Sequence, residues 1–151
     1  MRKTASAIVL LISVGAALAQ DAPVRLSPDQ LTWKDNPAIP KGGQGAILFG
    51  NPGQAGTVVY RAKFQANYKL PPHSHPYSEI ITVLSGNLAI GLGDTFNADS
   101  TNMLKPGSLL AIPANQPHFA WTDSEEAIIQ VQIVGPVSIT YVNPADDPRK
   151  K

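Results

Sequence analysis

The chain predicts an all-β fold, a sandwich or barrel of short strands. Three observations predict it. Apolar and polar residues alternate over several short runs, as half-buried strands require. Fourteen prolines and twelve glycines punctuate the 151 residues with turns. No stretch sustains apolar residues at helical spacing, and no internal repeat is visible.

Residues 1–19 stand outside that fold. Arg2 and Lys3 precede an apolar run from Ile8 to Leu18, and Ala17-Leu18-Ala19 is a small-residue cleavage signal. The run is shorter than the roughly 20 apolar residues that span a bilayer. It reads as a secretory signal peptide cleaved after Ala19. The leader resembles a bacterial one, which gives an expected periplasmic or secreted destination. From residue 20 to 56 the expectation is an N-terminal extended arm and a first strand. Val24 to Trp33 is extended, with one turn at Ser27-Pro28-Asp29-Gln30. Turn clusters at Lys41–Gly45 and Gly50–Gly53 bracket a strand at Ala46 to Phe49.

The core runs from 57 to 142. Thr57 to Gln65 places Val58, Tyr60, Ala62 and Phe64 on one face, with Arg61 and Lys63 on the other. Glu79 to Leu84 turns at Ser85-Gly86-Asn87 into Leu88 to Leu92. A polar loop reaches Asn102. Strands follow at Leu109–Ile112, His118–Thr122, Ala127–Val134 and Val137–Val142. Residues 143–151 read as an irregular tail.

Composition excludes several functions. The chain has no cysteine, so neither disulfides nor thiolate chemistry is available. Without Arg2 and Lys3, ten basic residues face eleven acidic ones. That balance argues against nucleic acid or an anionic membrane as partner. Gly42-Gly43-Gln44-Gly45 lacks the Lys-Ser/Thr of a phosphate loop. No serine has a free base beside it.

The three histidines are the chemical signal. His73 and His75 are two apart, so on a strand both imidazoles leave one face. Glu79 adds a carboxylate four residues on, and His118 follows a second turn-punctuated strand. From His73 the chain reads His-x-His-x3-Glu-x6-Gly, ending at Gly86; the second segment reads Gly107-x5-Pro113-x-Asn115-x2-His118-x3-Thr122. These segments resemble the two signature motifs of the cupin superfamily. Asn67, Asn115 and Thr122 depart from the usual Gly, Gly and Asn, and none of them is a ligand. Asn67 tolerates the left-handed backbone that glycine would supply. Twenty residues separate Gly86 from Gly107, as in small bacterial cupins. The resemblance implies a double-stranded β-helix, or jelly roll, with a metal held inside by His73, His75, Glu79 and His118.

Three neutral imidazoles and a carboxylate suit one divalent transition metal ion. Zinc would be saturated by four protein ligands. A reaction needs open positions, which favours Fe, Mn or Ni over Zn or Cu. The resemblance therefore implies a metal-dependent, dioxygenase-like oxidoreductase acting on a small organic molecule, with Glu79 also a candidate catalytic base. The alternative is a non-catalytic module that binds or senses metal or a small ligand, although no output domain accompanies the barrel. Pocket candidates are Arg61, as an anchor for a carboxylate or enolate or as an ordinary exposed arginine; Gln130 and Gln132, as groups orienting ligands or as solvent-facing amides; and Thr122, inward with His118 and Ala120. Phe119 and Trp121 are expected to pack outside the barrel. Tyr60, Tyr68 and Tyr77 are candidates for the pocket rim or for packing. The arm at 24–49 either pairs with a second copy in a homodimer or covers its own barrel edge.

Overall fold

Alternation decides which side of each strand is buried, and two long strands show it best. In β3 (Gly56–Phe64), Val58, Ala62 and Phe64 are buried. In β10 (Ala127–Gly135), Ala127, Ile129, Val131 and Ile133 are buried, while Gln132 and Val134 are exposed. The two strands pair antiparallel from Ala127↔Phe64 to Gly135↔Gly56, so their apolar faces coincide. The computed structural model describes residues 23–151. The signal peptide read over residues 1–19 lies outside them.

The remaining strands are β1 (Lys34–Asp35), β2 (Gly43–Phe49), β4 (Lys69–Ser74), β5 (Glu79–Ser85), β6 (Leu88–Leu92), β7 (Met103–Leu104), β8 (Leu109–Ile112), β9 (His118–Thr122) and β11 (Thr140–Tyr141). One sheet has the order β1-β2-β3-β10-β5-β8, and the other β11-β4-β9-β6-β7. Every pairing is antiparallel. The two sheets form a jelly roll, and the core lies between them, built from Val58, Phe64, Leu70, Ile81, Val83, Leu88, Ile129 and Val131 among others.

Several boundaries differ from the sequence reading. β2 starts at Gly43, inside the expected turn cluster. A Cβ at Gly43 would stand 2.4 Å from Ile39 Cδ1, so glycine lets the arm press against the strand. Val137 to Val142 keeps strand geometry only at Thr140–Tyr141. The Pro28–Gln30 turn is a single 3-10 turn closed by a Ser27–Gln30 capping box. The arm covers its own barrel: Tyr68 Oη donates to Pro40 O at 2.8 Å, Tyr141 Oη donates to Ala38 O at 2.9 Å, and Ile39 is buried.

Two left-handed residues stand at the positions where the family motif has glycine. Asn67 has φ 56° and Asn115 has φ 62°. Asparagine is among the few residues that adopt this conformation cheaply. Both turns therefore survive the departures from the motif.

Candidate metal centre

Strand pairing brings the histidines together. His73 on β4 is the register partner of His118 on β9. His75 follows one residue beyond the end of β4. Glu79 opens β5 in the facing sheet. Nitrogens of His73, His75 and His118 lie within 4.8 Å of one another. Glu79 Oε2 is 3.5 Å from His118 Nε2 and 3.8 Å from His75 Nε2.

Backbone carbonyls orient all three rings. His73 Nδ1 bonds Pro71 O at 2.8 Å, His118 Nδ1 bonds Gln116 O at 3.0 Å, and His75 Nδ1 bonds Ser138 O. A carbonyl only accepts, so each Nδ1 carries a proton. In the neutral ring this leaves the Nε2 lone pair free and aimed inward. It is the arrangement that metal-binding imidazoles use. Tyr77 reinforces the His75 end: its Oη donates to Ser138 O at 2.8 Å and accepts from Ser138 N at 3.0 Å.

The charges of the site are unbalanced without a cation. Glu79 is buried, and its ion-pair partners among the described residues are His75 and His118 alone. Tyr60 Oη donates to Glu79 Oε1 at 3.3 Å, so Oε2 is the oxygen left facing the imidazoles. Burial lowers the His73 pKa to about 3, with His118 adding to the effect, and it also lowers that of His75. Burial pushes Glu79 up, but the His118 hydrogen bond and the neighbouring imidazoles bring it net below its ordinary value. The centre thus keeps His73 and His75 neutral and the carboxylate ionised at neutral pH. That is the protonation state metal binding requires.

A cavity of about 190 Å³ opens from this centre. Its walls are apolar: Phe64, Leu70, Ile81, Ile90, Ile129 and Val131. Asn36, Ala38 and Ile39 of the arm, the segment 137–139 and Arg149 also line it. Tyr60 lines it beside Glu79, where burial drives its pKa well up.

The other pocket candidates lie elsewhere. Arg61 is on the outer face of β3, paired with Gln130, because Tyr60 and Ala62 occupy the inner face. Gln130 and Gln132 face outward because Ile129, Val131 and Ile133 fill the inside. Thr122 is buried but does not line the cavity; Oγ1 accepts from Tyr68 N at 2.9 Å and donates to Gln65 O at 2.6 Å. Tyr68 stacks on Phe64 at 5.0 Å. Phe119 and Trp121 pack outside the barrel under the loop 93–102. Phe119 meets Phe96 at 4.9 Å, and Trp121 Nε1 donates to Thr101 Oγ1 at 3.1 Å. Asn36, Ser138 and Arg149 were not legible in the sequence. Each reaches the cavity from a segment without strand periodicity, and no spacing rule links it to the histidines.

A jelly roll whose interior gathers three imidazoles and a carboxylate is a β-barrel protein with a candidate internal metal centre. Comparison with known proteins gives the family. The family model described as a cupin domain matches residues 60–134, and the chain belongs to the cupin superfamily. Germin-like protein 3-1 of Oryza sativa subsp. japonica is 40% identical over 67 residues, covering 44% of this chain and 30% of that protein. Putative germin-like protein subfamily 1 member 2 of Arabidopsis thaliana is 31% identical over 84 residues, covering 53% and 37%. The chain therefore spans only 30% to 37% of these curated relatives. Among solved structures, the polyketide cyclase RemF of Streptomyces resistomycificus superposes with a TM-score of 0.70 at 22% identity, over 85% of this chain and 92% of that one. An oxalate oxidase superposes with a TM-score of 0.54 at 24% identity, over 72% and 59%.

Proposed function

We propose that this cupin is an exported metal-dependent oxidoreductase, dioxygenase-like, acting on a small organic molecule. One observation carries the reading. One nitrogen from each of three imidazoles and a buried carboxylate oxygen converge at one end of an apolar cavity, with every Nδ1 held by a backbone carbonyl. His73, His75, His118 and Glu79 would hold a divalent Fe, Mn or Ni ion. Such an ion supplies Lewis acidity and a site where oxygen and substrate can meet.

The chain's own residues do the rest. Six apolar side chains exclude bulk water and leave room for a small substrate. Tyr60 holds Glu79 Oε1 and keeps Oε2 directed at the imidazoles. A Glu79 oxygen released during turnover could take a proton from a bound enol or hydroxyl, which is the role of base. The fold does not choose the reaction, since a cyclase and an oxidase are among the solved structures of this shape.

The test has two stages. Metal analysis of protein purified without chelators should find one ion per chain, falling below a tenth of that in His75→Ala. Oxygen uptake by iron- or manganese-loaded protein should then be followed with a panel of enols, thiols and diketones. Turnover absent from His75→Ala supports the oxidoreductase. Stoichiometric ligand binding without product would replace it with the binding-module reading.

A further inference from the structure

The cavity has two chemically different ends. At one end stands the carboxylate of Glu79 among the imidazoles. Apolar side chains make the walls. Apart from the imidazoles, Arg149 is the one cationic side chain among the described residues that lines the cavity. It arrives from the C-terminal tail, far in sequence from every ligand. We infer that Arg149 anchors an anionic oxygen group of the substrate, so that the preferred ligand has a metal-chelating head, a short apolar body and a distal carboxylate. This rests on the metal-centre reading above and gives that centre a substrate class.

The guanidinium is positioned rather than free. Arg149 Nε donates to Asp147 Oδ1 at 2.8 Å and Nη2 donates to Asp147 Oδ2 at 2.9 Å, a two-point pair. Nη2 also donates to Ile139 O at 3.2 Å. Asp147 is itself fixed, accepting from Arg149 N at 3.1 Å as the cap of the last turn. These bonds use one edge of the guanidinium and leave the Nη1 hydrogens for an acceptor. A pre-oriented donor loses less freedom on binding than a mobile one. The Asp147 charge offsets part of the cation. Preference for an anion is therefore moderate, and it comes from charge-assisted hydrogen bonding to an exposed guanidinium at the cavity mouth.

The same segment holds both ends of the site. Ser138 O takes His75 Nδ1, and the next carbonyl, Ile139 O, takes Arg149 Nη2. Two successive peptide groups thus set the position of the guanidinium relative to a metal-ligand candidate. A substrate reaching from one to the other runs along Val137, Ser138 and Ile139, which all line the cavity. Arg61, the arginine that sequence alone offers for this role, is on the opposite side of its strand from the cavity.

The test compares two ligands that differ only at the distal end: 3-(3,4-dihydroxyphenyl)propionate and its methyl ester. Each is titrated calorimetrically into nickel-loaded protein under nitrogen, which leaves coordination positions open and avoids oxidation of the catechol. Wild type should bind the acid about tenfold more tightly than the ester, as one charge-assisted hydrogen bond gives. In Arg149→Met and Arg149→Gln the ratio should fall to about two or less, with ester affinity unchanged within about twofold. Arg149→Lys should keep an intermediate ratio. The ratio is internal to each variant, so partial loss of folded protein does not affect it. Equal binding of acid and ester by wild type, or a ratio that survives Arg149→Met, overturns the anchor and leaves the metal centre standing. If neither catechol binds while nickel is bound at one ion per chain, the anchor fails together with the chelating-substrate reading. If nickel does not bind, the metal centre itself fails.

Discussion

Acidifying the metal-free protein should weaken it in a way that His73 makes calculable. The ring is 2% exposed, and burial holds its pKa near 3, against about 6.5 when unfolded. Between those values the unfolded chain binds a proton that the folded chain refuses. Stability is therefore full above about pH 6.5 and is lost as the pH falls toward 3. Integrating this uptake from pH 7 to pH 5 gives about 2 kcal/mol from this one imidazole. The figure depends mainly on the unfolded value, since the folded ring stays neutral throughout the window. His75 is shifted the same way and adds to the loss. Glu79 lies below its ordinary value of 4.5, so its stabilisation is present above that pH and is lost below it, outside the window. Urea titrations of chelator-treated protein at the two pH values measure the effect. With a slope of about 1–3 kcal/mol/M, His73 alone should move the midpoint by roughly 1 M. His73→Gln should remove about 2 kcal/mol of the pH dependence. A midpoint that does not move between the two pH values, or a pH dependence unchanged in His73→Gln, would refute the neutral buried imidazole.

Three further outcomes follow from the same structure. Loading with a divalent ion at a hundredfold excess over Kd should raise stability by about 2.7 kcal/mol, measured as a rise in melting temperature that chelator reverses; His75→Ala should lose most of it. Thr122→Val should cost about 2–4 kcal/mol in urea denaturation, because it strands the Tyr68 N–H and the Gln65 carbonyl, while metal affinity by competition with a chelating dye stays unchanged. Gly86→Ala should cost about 2–4 kcal/mol by the same denaturation, since φ is +67° and a Cβ would stand 2.0 Å from Glu126 O.

Period-two patterning made β3, β5, β6, β8, β9 and β10 legible, because each buries one face in the core between the sheets. β4 was harder to see: Pro71 and Pro72 interrupt its pairing with β9, where the register shifts between Leu70 and His73. Only the pair of histidines two apart suggested a strand there. The Val137–Val142 segment looks like a strand by composition. Its Ser138 and Ile139 carbonyls serve His75, Tyr77 and Arg149 instead of a neighbouring strand. The four ligand candidates were legible because motif spacing fixes them on two paired strands and one facing strand. Gln130 and Gln132 were left between two faces for a simple reason: in a strand with apolar residues on both faces, two amides do not say which face is inside. Arg149 carried no signal at all, since a tail of turns has no periodicity to place it.

The cavity's floor and roof come from different parts of the chain. His73 and His118 sit on barrel strands whose pairing dictates their spacing, whereas Asn36, Ala38 and Ile39 of the arm and the segment 137–139 line the same cavity from outside the strands. Changes in bulk within residues 36–39 would resize the opening, whereas changes within residues 137–139 would also move the His75 ring that Ser138 O holds. Access to the cavity and the placing of the imidazoles are therefore separable on the side of the arm and tied together on the side of the C-terminal segment.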